Sequence, residues 1–238
     1  MSYFKPGPDP NFPYLTYNDH YRFPDPKEWE DSIVAIGGNL SPGMLLSAYE
    51  QGIFPWYGPE DPVIWQSPDP RLVLFPDSLH ISSSMKKVLK KGIYEITFDK
   101  DFEGVIRSCA EAFRFYNGKV VDGTWITKDI IEAYVELHKL GFAHSAEAWS
   151  VSETGDMELA GGCYGVLMGR VFIGESMFSK KSNSSKAAFL TLAQKLFENG
   201  VAFVDCQTPS RLFISLGGEE MSRTHYLALL KAYRAVRF

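Results

Sequence analysis

The chain has 238 residues, 45% of them hydrophobic and 22% charged, with a formal net charge of −5. That length buries a substantial core and suits one large domain or a main domain with a small companion. No run of 18 apolar residues is present, the start MSYFKPGPDPNFPY lacks a basic-then-apolar leader, and Cys109, Cys163 and Cys206 are scattered without CxxC spacing. A membrane span, a secretion signal, a disulfide framework and a structural zinc site are therefore not expected, and a reducing cytoplasm is. The mild acidity argues against indiscriminate coating of nucleic acid, so RNA contact would need a local basic patch.

In chain order, residues 1–75 are rich in proline and aromatics, as in PGPDPNFPY, FPWYGPEDP and SPDP, and read as a small N-terminal domain. One helix stands out there: Ser41 is suited to cap it and Pro42 to open it. Leu45, Leu46 and Tyr49 share a face, and Gly52 closes it. From about residue 76 to 238 helices and strands alternate. Helices are expected near 81–91, 101–114, 127–140, 184–198 and 222–235. The one at 184–198 is best specified, by Phe189, Leu192, Ala193, Leu196 and Phe197 before Asn199-Gly200. Strands are expected near 71–76, 93–98, 144–152, 157–167, 170–178 and 201–207, with a turn at Met168-Gly169-Arg170. The order suggests a mixed sheet flanked by helices, an α/β or α+β class, with α+β as the expectation.

Asp205 and Gln207 end the apolar run VAFV. On a strand, residues two apart face one side, so both would point together at the strand's end, serving a site or bonding to loops. Glu175 in GESMFS sits among apolar neighbours, where a carboxylate needs a cation or several donors. It could hold a substrate ammonium or form a structural ion pair. Asn183 and two serines open the 184–198 helix, as caps or as a carbonyl- or phosphate-binding start. Lys86, Lys87, Lys90 and Lys91 cluster on one helix face opposite Met85, Val88 and Leu89, a phosphate contact or a solvated surface. Trp56 and Trp125 stand beside prolines and glycines and could line a pocket for a base or an apolar side chain. His144 in AHSAEAW reads as a core or strand residue. No nucleophile elbow, phosphate loop, dinucleotide fingerprint or metal pattern occurs, so no cofactor or metal is expected.

The stretches GGNLSPGMLLSAYEQGIFPWY, SPDPR, LHISSSMKK, GTWIT, IEAYVELHKLGFAHSAEAW, GGCYGV, FIGESMFS, NSSKAAF, VDCQ and SLGG resemble, in order, the bacterial leucyl/phenylalanyl-tRNA–protein transferases. The resemblance implies a small N-terminal domain (1–75) joined to a GCN5-related acyltransferase-like domain (76–238). It implies transfer of leucine or phenylalanine, and weakly methionine, from aminoacyl-tRNA to proteins beginning with arginine or lysine, marking them for degradation. By motif match Asp205 and Gln207 fall on catalytic positions and Glu175 on an active-site carboxylate. Trp125, Tyr134, Phe172, Leu192 and Val204 fall in or near the side-chain pocket, where Cys163 replaces a methionine of some relatives. The lysine run falls in the tRNA-binding region. A monomer without membrane contact follows. Two departures stand out: TPSRLFISLGG lacks a histidine that many relatives carry before SLGA, placing Leu212 or Phe213 there, and Gln66 follows Trp65 where relatives often read WWSPDPR. The rivals are an acetyl-CoA-dependent acyltransferase, for which no Q/R-x-x-G-x-G/A loop is found, and a non-catalytic adaptor for basic N-termini or tRNA.

Overall fold

The computed structural model describes residues 5–112, 114–116, 119–121 and 124–234, with backbone alone for 114–116 and 119–121. Position 113 of the expected 101–114 helix and position 235 of the expected 222–235 helix lie outside the described residues. The chain runs β1 (Ile33–Ile36), α1 (Pro42–Glu50), β2 (Phe54–Pro55), β3 (Ile64–Gln66), β4 (Arg71–Leu74), α2 (Ser83–Lys90), β5 (Glu95–Phe98), α3 (Phe102–Glu111), β6 (Arg114–Tyr116), β7 (Lys119–Val121) and α4 (Lys128–Lys139). It continues through β8 (Ala143–Val151), β9 (Met157–Met168), β10 (Val171–Ser179), α5 (Ser184–Glu198), β11 (Phe203–Asp205), α6 (Arg211–Ser215), β12 (Glu219–Met221) and α7 (Arg223–Tyr233).

A seven-stranded sheet in the order β12-β4-β11-β10-β9-β8-β5 organises the molecule. Every neighbouring pair in it is antiparallel except β10 and β11, which are parallel and joined through α5. Because side chains alternate across a strand, each face feeds its own core. One core joins Val73, Tyr164, Ile173 and Phe203 to α1, α3, α4 and α7. The other joins Leu72, Cys163, Phe172 and Val204 to α2 and α5. The mixed sheet with helices on both faces is the α+β arrangement expected.

The proline-rich start holds β1, β3 and β2, a small antiparallel sheet absent from the sequence-based expectation, because runs of two to four residues leave no periodic signal. Helix α1 also differs from expectation: all nine of its residues are buried, not one face alone. Its opening residue Ser41 makes no capping bond, its hydroxyl donating instead to Asn39 Oδ1 at 2.7 Å. Helix α5 spans the expected range, but Asn183 stands at φ 65° and does not cap it, while Ser184 Oγ donates to the Ala160 carbonyl at 2.8 Å. The turn between β9 and β10 places Gly169 at φ 63°, where a tight hairpin needs a residue without Cβ. Among the described residues no helix is long and apolar enough to cross a membrane.

Candidate active site

The site begins where two strands part. β10 and β11 pair only over Val171–Ile173 and Phe203–Asp205. Beyond that point β10 runs on to Ser179 against β9 alone, and the chain after Asp205 turns away through Gln207 at φ 60°. A bulge between Gly174 and Ser176 interrupts the β10 register and presents Glu175 out of the strand's alternation. Gly165 opposite admits this geometry, since a Cβ there would lie 2.2 Å from the Ile173 carbonyl and 2.6 Å from the Phe172 ring.

The parting leaves a cavity of about 320 Å³. Its apolar walls come from Cys163, Phe172, Met177, Phe189, Val204 and Phe213, and Glu175, Gln207 and Thr208 supply its polar rim. Phe213 meets Phe189 edge-on with centroids 5.0 Å apart, and both build cavity wall. Tyr134 and Leu192 are buried but do not line this cavity. Leu192 belongs to the core behind Phe172, and Tyr134 reaches the site through Glu175. Asn183, Ser184 and Ser185 at the start of α5 line no part of it.

Glu175 is 9% exposed and accepts from the hydroxyls of Tyr49 at 2.8 Å and Tyr134 at 3.2 Å. It also accepts from Gln207 Nε2 at 3.1 Å. The two phenol oxygens also lie in contact with each other. Among the described residues no basic side chain lies within ion-pair distance of Glu175, so its partners are neutral donors. Burial, reinforced by the Asp205 charge and opposed by the tyrosine hydrogen bonds, pushes its carboxyl up to about 7. Burial likewise drives both phenols well above their usual value.

Asp205 differs from expectation. It does not point with Gln207 into the cavity, because β11 ends at Asp205 and Gln207 has left strand geometry. Asp205 is 0% exposed and turned toward the opposite core. Arg71 grips it at two points, Nε to Oδ1 at 2.9 Å and Nη2 to Oδ2 at 2.6 Å. The Tyr226 hydroxyl adds a bond to Oδ2 at 2.7 Å and the Gln207 backbone N–H one to Oδ1 at 2.8 Å.

Glu175, Gln207 and Thr208 also bound a second, smaller cavity of about 180 Å³, closed by Phe54, Pro55, Trp56 and Trp125. Trp56 and Trp125 carry it into an open groove with Tyr57, Asp61 and Gln66. The two tryptophans thus line the same two spaces, one of which is bounded by Glu175 and Gln207. Lys86, Lys87, Lys90 and Lys91 are exposed on or just after α2, whose Met85 is buried in the core shared with Phe172 and Val204. The three cysteines are buried and form no disulfide among the described residues. His144 lines neither cavity, its Nδ1 lying 2.8 Å from Asp99.

Sequence reasoning passed over Tyr49, Arg71 and Tyr226 as site residues. Tyr49 and Arg71 lie in the quoted stretches SAYEQG and SPDPR, but their local pattern is that of an apolar helix face and a strand start. Their partners lie 126 and 134 residues away, which no local signal conveys.

Comparison with known proteins places this geometry in a lineage. A family model described as leucyl/phenylalanyl-tRNA protein transferase matches residues 73–231, and the model of that transferase's N-terminal domain matches 38–69. Proteins named leucyl/phenylalanyl-tRNA–protein transferase are similar over most of their lengths. The one from Syntrophobacter fumaroxidans is 48% identical over 84% of this chain and 82% of its own. That from Pseudomonas fluorescens is 50% identical over 81% of each. The Maridesulfovibrio salexigens protein is 50% identical over 87% of this chain and 84% of its own. Among solved structures, L-PGS from Bacillus licheniformis aligns with 61% of this chain and 48% of its own at 16% identity and a TM-score of 0.40, too slight a likeness to bear on fold or function. The similarity to the curated proteins is of another order, and by it the chain belongs to the leucyl/phenylalanyl-tRNA–protein transferase family.

Proposed function

We propose that Glu175 and Gln207 mark the point where the two substrates of this enzyme meet. As a family member the chain is an aminoacyltransferase, moving an amino acid from aminoacyl-tRNA to a protein. The observation that carries the placement is a shared wall: Glu175, Gln207 and Thr208 face an apolar cavity on one side and an aromatic one on the other. The donor's side chain, leucine or phenylalanine and weakly methionine, enters the apolar cavity, where a charged group would lose its hydration uncompensated. The tRNA lies toward the α2 lysines, which suit phosphates. The acceptor brings an N-terminal arginine or lysine along the aromatic groove, whose lining of Trp56, Trp125 and Asp61 suits a cation.

The acceptor's α-ammonium then reaches Glu175, which has no cation of its own. A free amine titrates at about 7.7–8.0, so at neutral pH most acceptors arrive protonated. Glu175, raised toward that range by burial, takes one proton. The amine attacks the ester carbonyl carbon, a C–N bond replaces the C–O bond to the terminal ribose, and the ribose oxygen leaves as a hydroxyl with the second amine proton. Gln207 orients the attacking nitrogen through its side-chain carbonyl, while Asp205 holds Gln207 in place. The ester is already activated, so positioning and proton transfer suffice and no cofactor enters. The added residue marks the acceptor for degradation. The same reading divides the chain into a small domain (1–75) and a GCN5-related acyltransferase-like domain (76–238), acting as a cytoplasmic monomer. The three reduced, buried thiols suit that compartment.

The test uses acceptor proteins identical except at the first residue, mixed with the enzyme and leucyl-tRNA labelled in the amino acid. Label is expected on the arginine and lysine forms and not on a leucine form. Equal labelling of all three would remove the acceptor assignment, and tRNA binding without any transfer would leave only an adaptor.

A further inference from the structure

We infer that Arg71 and Tyr226 are positioning residues of the transfer reaction, acting on Gln207 through Asp205 without touching either substrate. This rests on the placement of Gln207 proposed above. Arg71 is 1% exposed and Asp205 0%, and neither lines a cavity of the site. The planar guanidinium meets the planar carboxylate at both oxygens, at 2.9 and 2.6 Å, which fixes the carboxylate's plane as well as its position. The guanidinium is itself held between the rings of Phe54 and Tyr226, 4.9 and 4.4 Å from their centroids, and its Nη1 reaches the Gly52 carbonyl at 3.4 Å. Tyr226 therefore serves twice, with its ring against Arg71 and its hydroxyl on Asp205 Oδ2 at 2.7 Å.

Each Asp205 oxygen thus carries two donors, one of the four being the Gln207 backbone N–H at 2.8 Å. So enclosed, Asp205 is an anchor and not a proton acceptor for a substrate. What it anchors is a glutamine at φ 60°, a conformation that a residue other than glycine keeps only when its surroundings enforce it. That backbone aims the Gln207 amide at Glu175, 3.1 Å away. A change at Arg71 or Tyr226 is transmitted along this path as a displacement of the amide. Through it β2, β4 and α7, remote in sequence, are tied to the site.

The informative variant is Tyr226→Phe, which keeps the ring beside Arg71 and removes one donor. Removing Arg71 would leave a buried, unpaired carboxylate and unfold the protein. The kcat of transfer and the KM of each substrate are measured for Tyr226→Phe alone, for Gln207→Ala and for the double variant, with thermal unfolding to confirm folding. We expect Tyr226→Phe to lower kcat about tenfold with both KM values within about twofold. In the Gln207→Ala background the same change should alter kcat by less than about twofold, because the path it acts through is gone. An equal fall in both backgrounds would overturn the inference, since a general loosening of the fold adds independently. A normal kcat for Tyr226→Phe beside a slow Gln207→Ala would overturn it too, leaving the role of Gln207 intact. A normal kcat for Gln207→Ala would remove both.

Discussion

At Glu175 the protein keeps a buried carboxylate whose hydrogen-bond partners are neutral donors, an arrangement that costs stability when the group ionises. Burial lifts its carboxyl from 4.5 to about 7 in the folded state. The fold therefore binds this proton more tightly than the unfolded chain does. The resulting stability is fully present below about 4.5 and is lost as pH rises through about 7. The full loss is about 3 kcal/mol. Glu175→Gln should unfold in urea much as the parent does at pH 5 and exceed it by about that amount at pH 8, while losing transfer. A variant less stable than the parent at pH 8 would mean that Glu175 is held ionised by a charge partner. Glu175 and Gln207 were legible as candidates in the sequence because a polar group inside or ending an apolar run needs a reason. Tyr49, Arg71 and Tyr226 were not, since each looks like ordinary core until its distant partner is known. Asp205 was legible as a candidate but not as an enclosed residue, because its burial comes from α7 and β4.

Among the elements, α2 carries the clearest electrostatic expectation. Ser82 caps it through the Met85 N–H, Met85 anchors it, and Lys86, Lys87, Lys90 and Lys91 stay in solvent. Replacing these lysines by glutamine should weaken aminoacyl-tRNA binding and flatten its dependence on salt, by about 0.7–0.9 in the log–log slope for each phosphate left unneutralised. Filter binding over a range of KCl concentrations reads this directly. An unchanged affinity and slope would make α2 a solvated face. Helix α5 spans its expected range and α4 falls one residue short at each end, whereas α3 stops at Glu111 and position 114 of the expected 101–114 helix belongs to β6. β11 was expected over 201–207 and spans Phe203–Asp205, because the apolar run VAFVDCQ carries no mark of where pairing with β10 stops. That stopping point opens the cavity, so the feature that makes the site was invisible to local pattern. The short strands β1, β2 and β3 were hidden in the proline-rich start for the same reason of length.

Across the whole molecule, one core runs without a break from the small sheet to the large one. Val34, Tyr49, Phe54 and Trp65 pack in the same cluster as Val73, Tyr134, Ile173 and Tyr226. The N-terminal part therefore builds the site and does not merely adjoin it: α1 supplies Tyr49, and the β2–β3 region supplies Trp56 and the groove. The strand order, with its single parallel pair, lay beyond sequence reasoning, which sees neighbours in the chain and not in the sheet. Under the proposed function two substrates enter from different sides and meet at one wall. The direct measurement is a single-turnover transfer of labelled phenylalanine from tRNA to an arginine-initiated protein, by the parent enzyme and by Gln207→Ala, at saturating concentrations of both substrates. With tRNA binding retained, Gln207→Ala is predicted to transfer at least about a hundredfold more slowly, the scale of lost orientation at a reacting centre. Transfer at the parent rate would place the meeting point elsewhere and contradict the account.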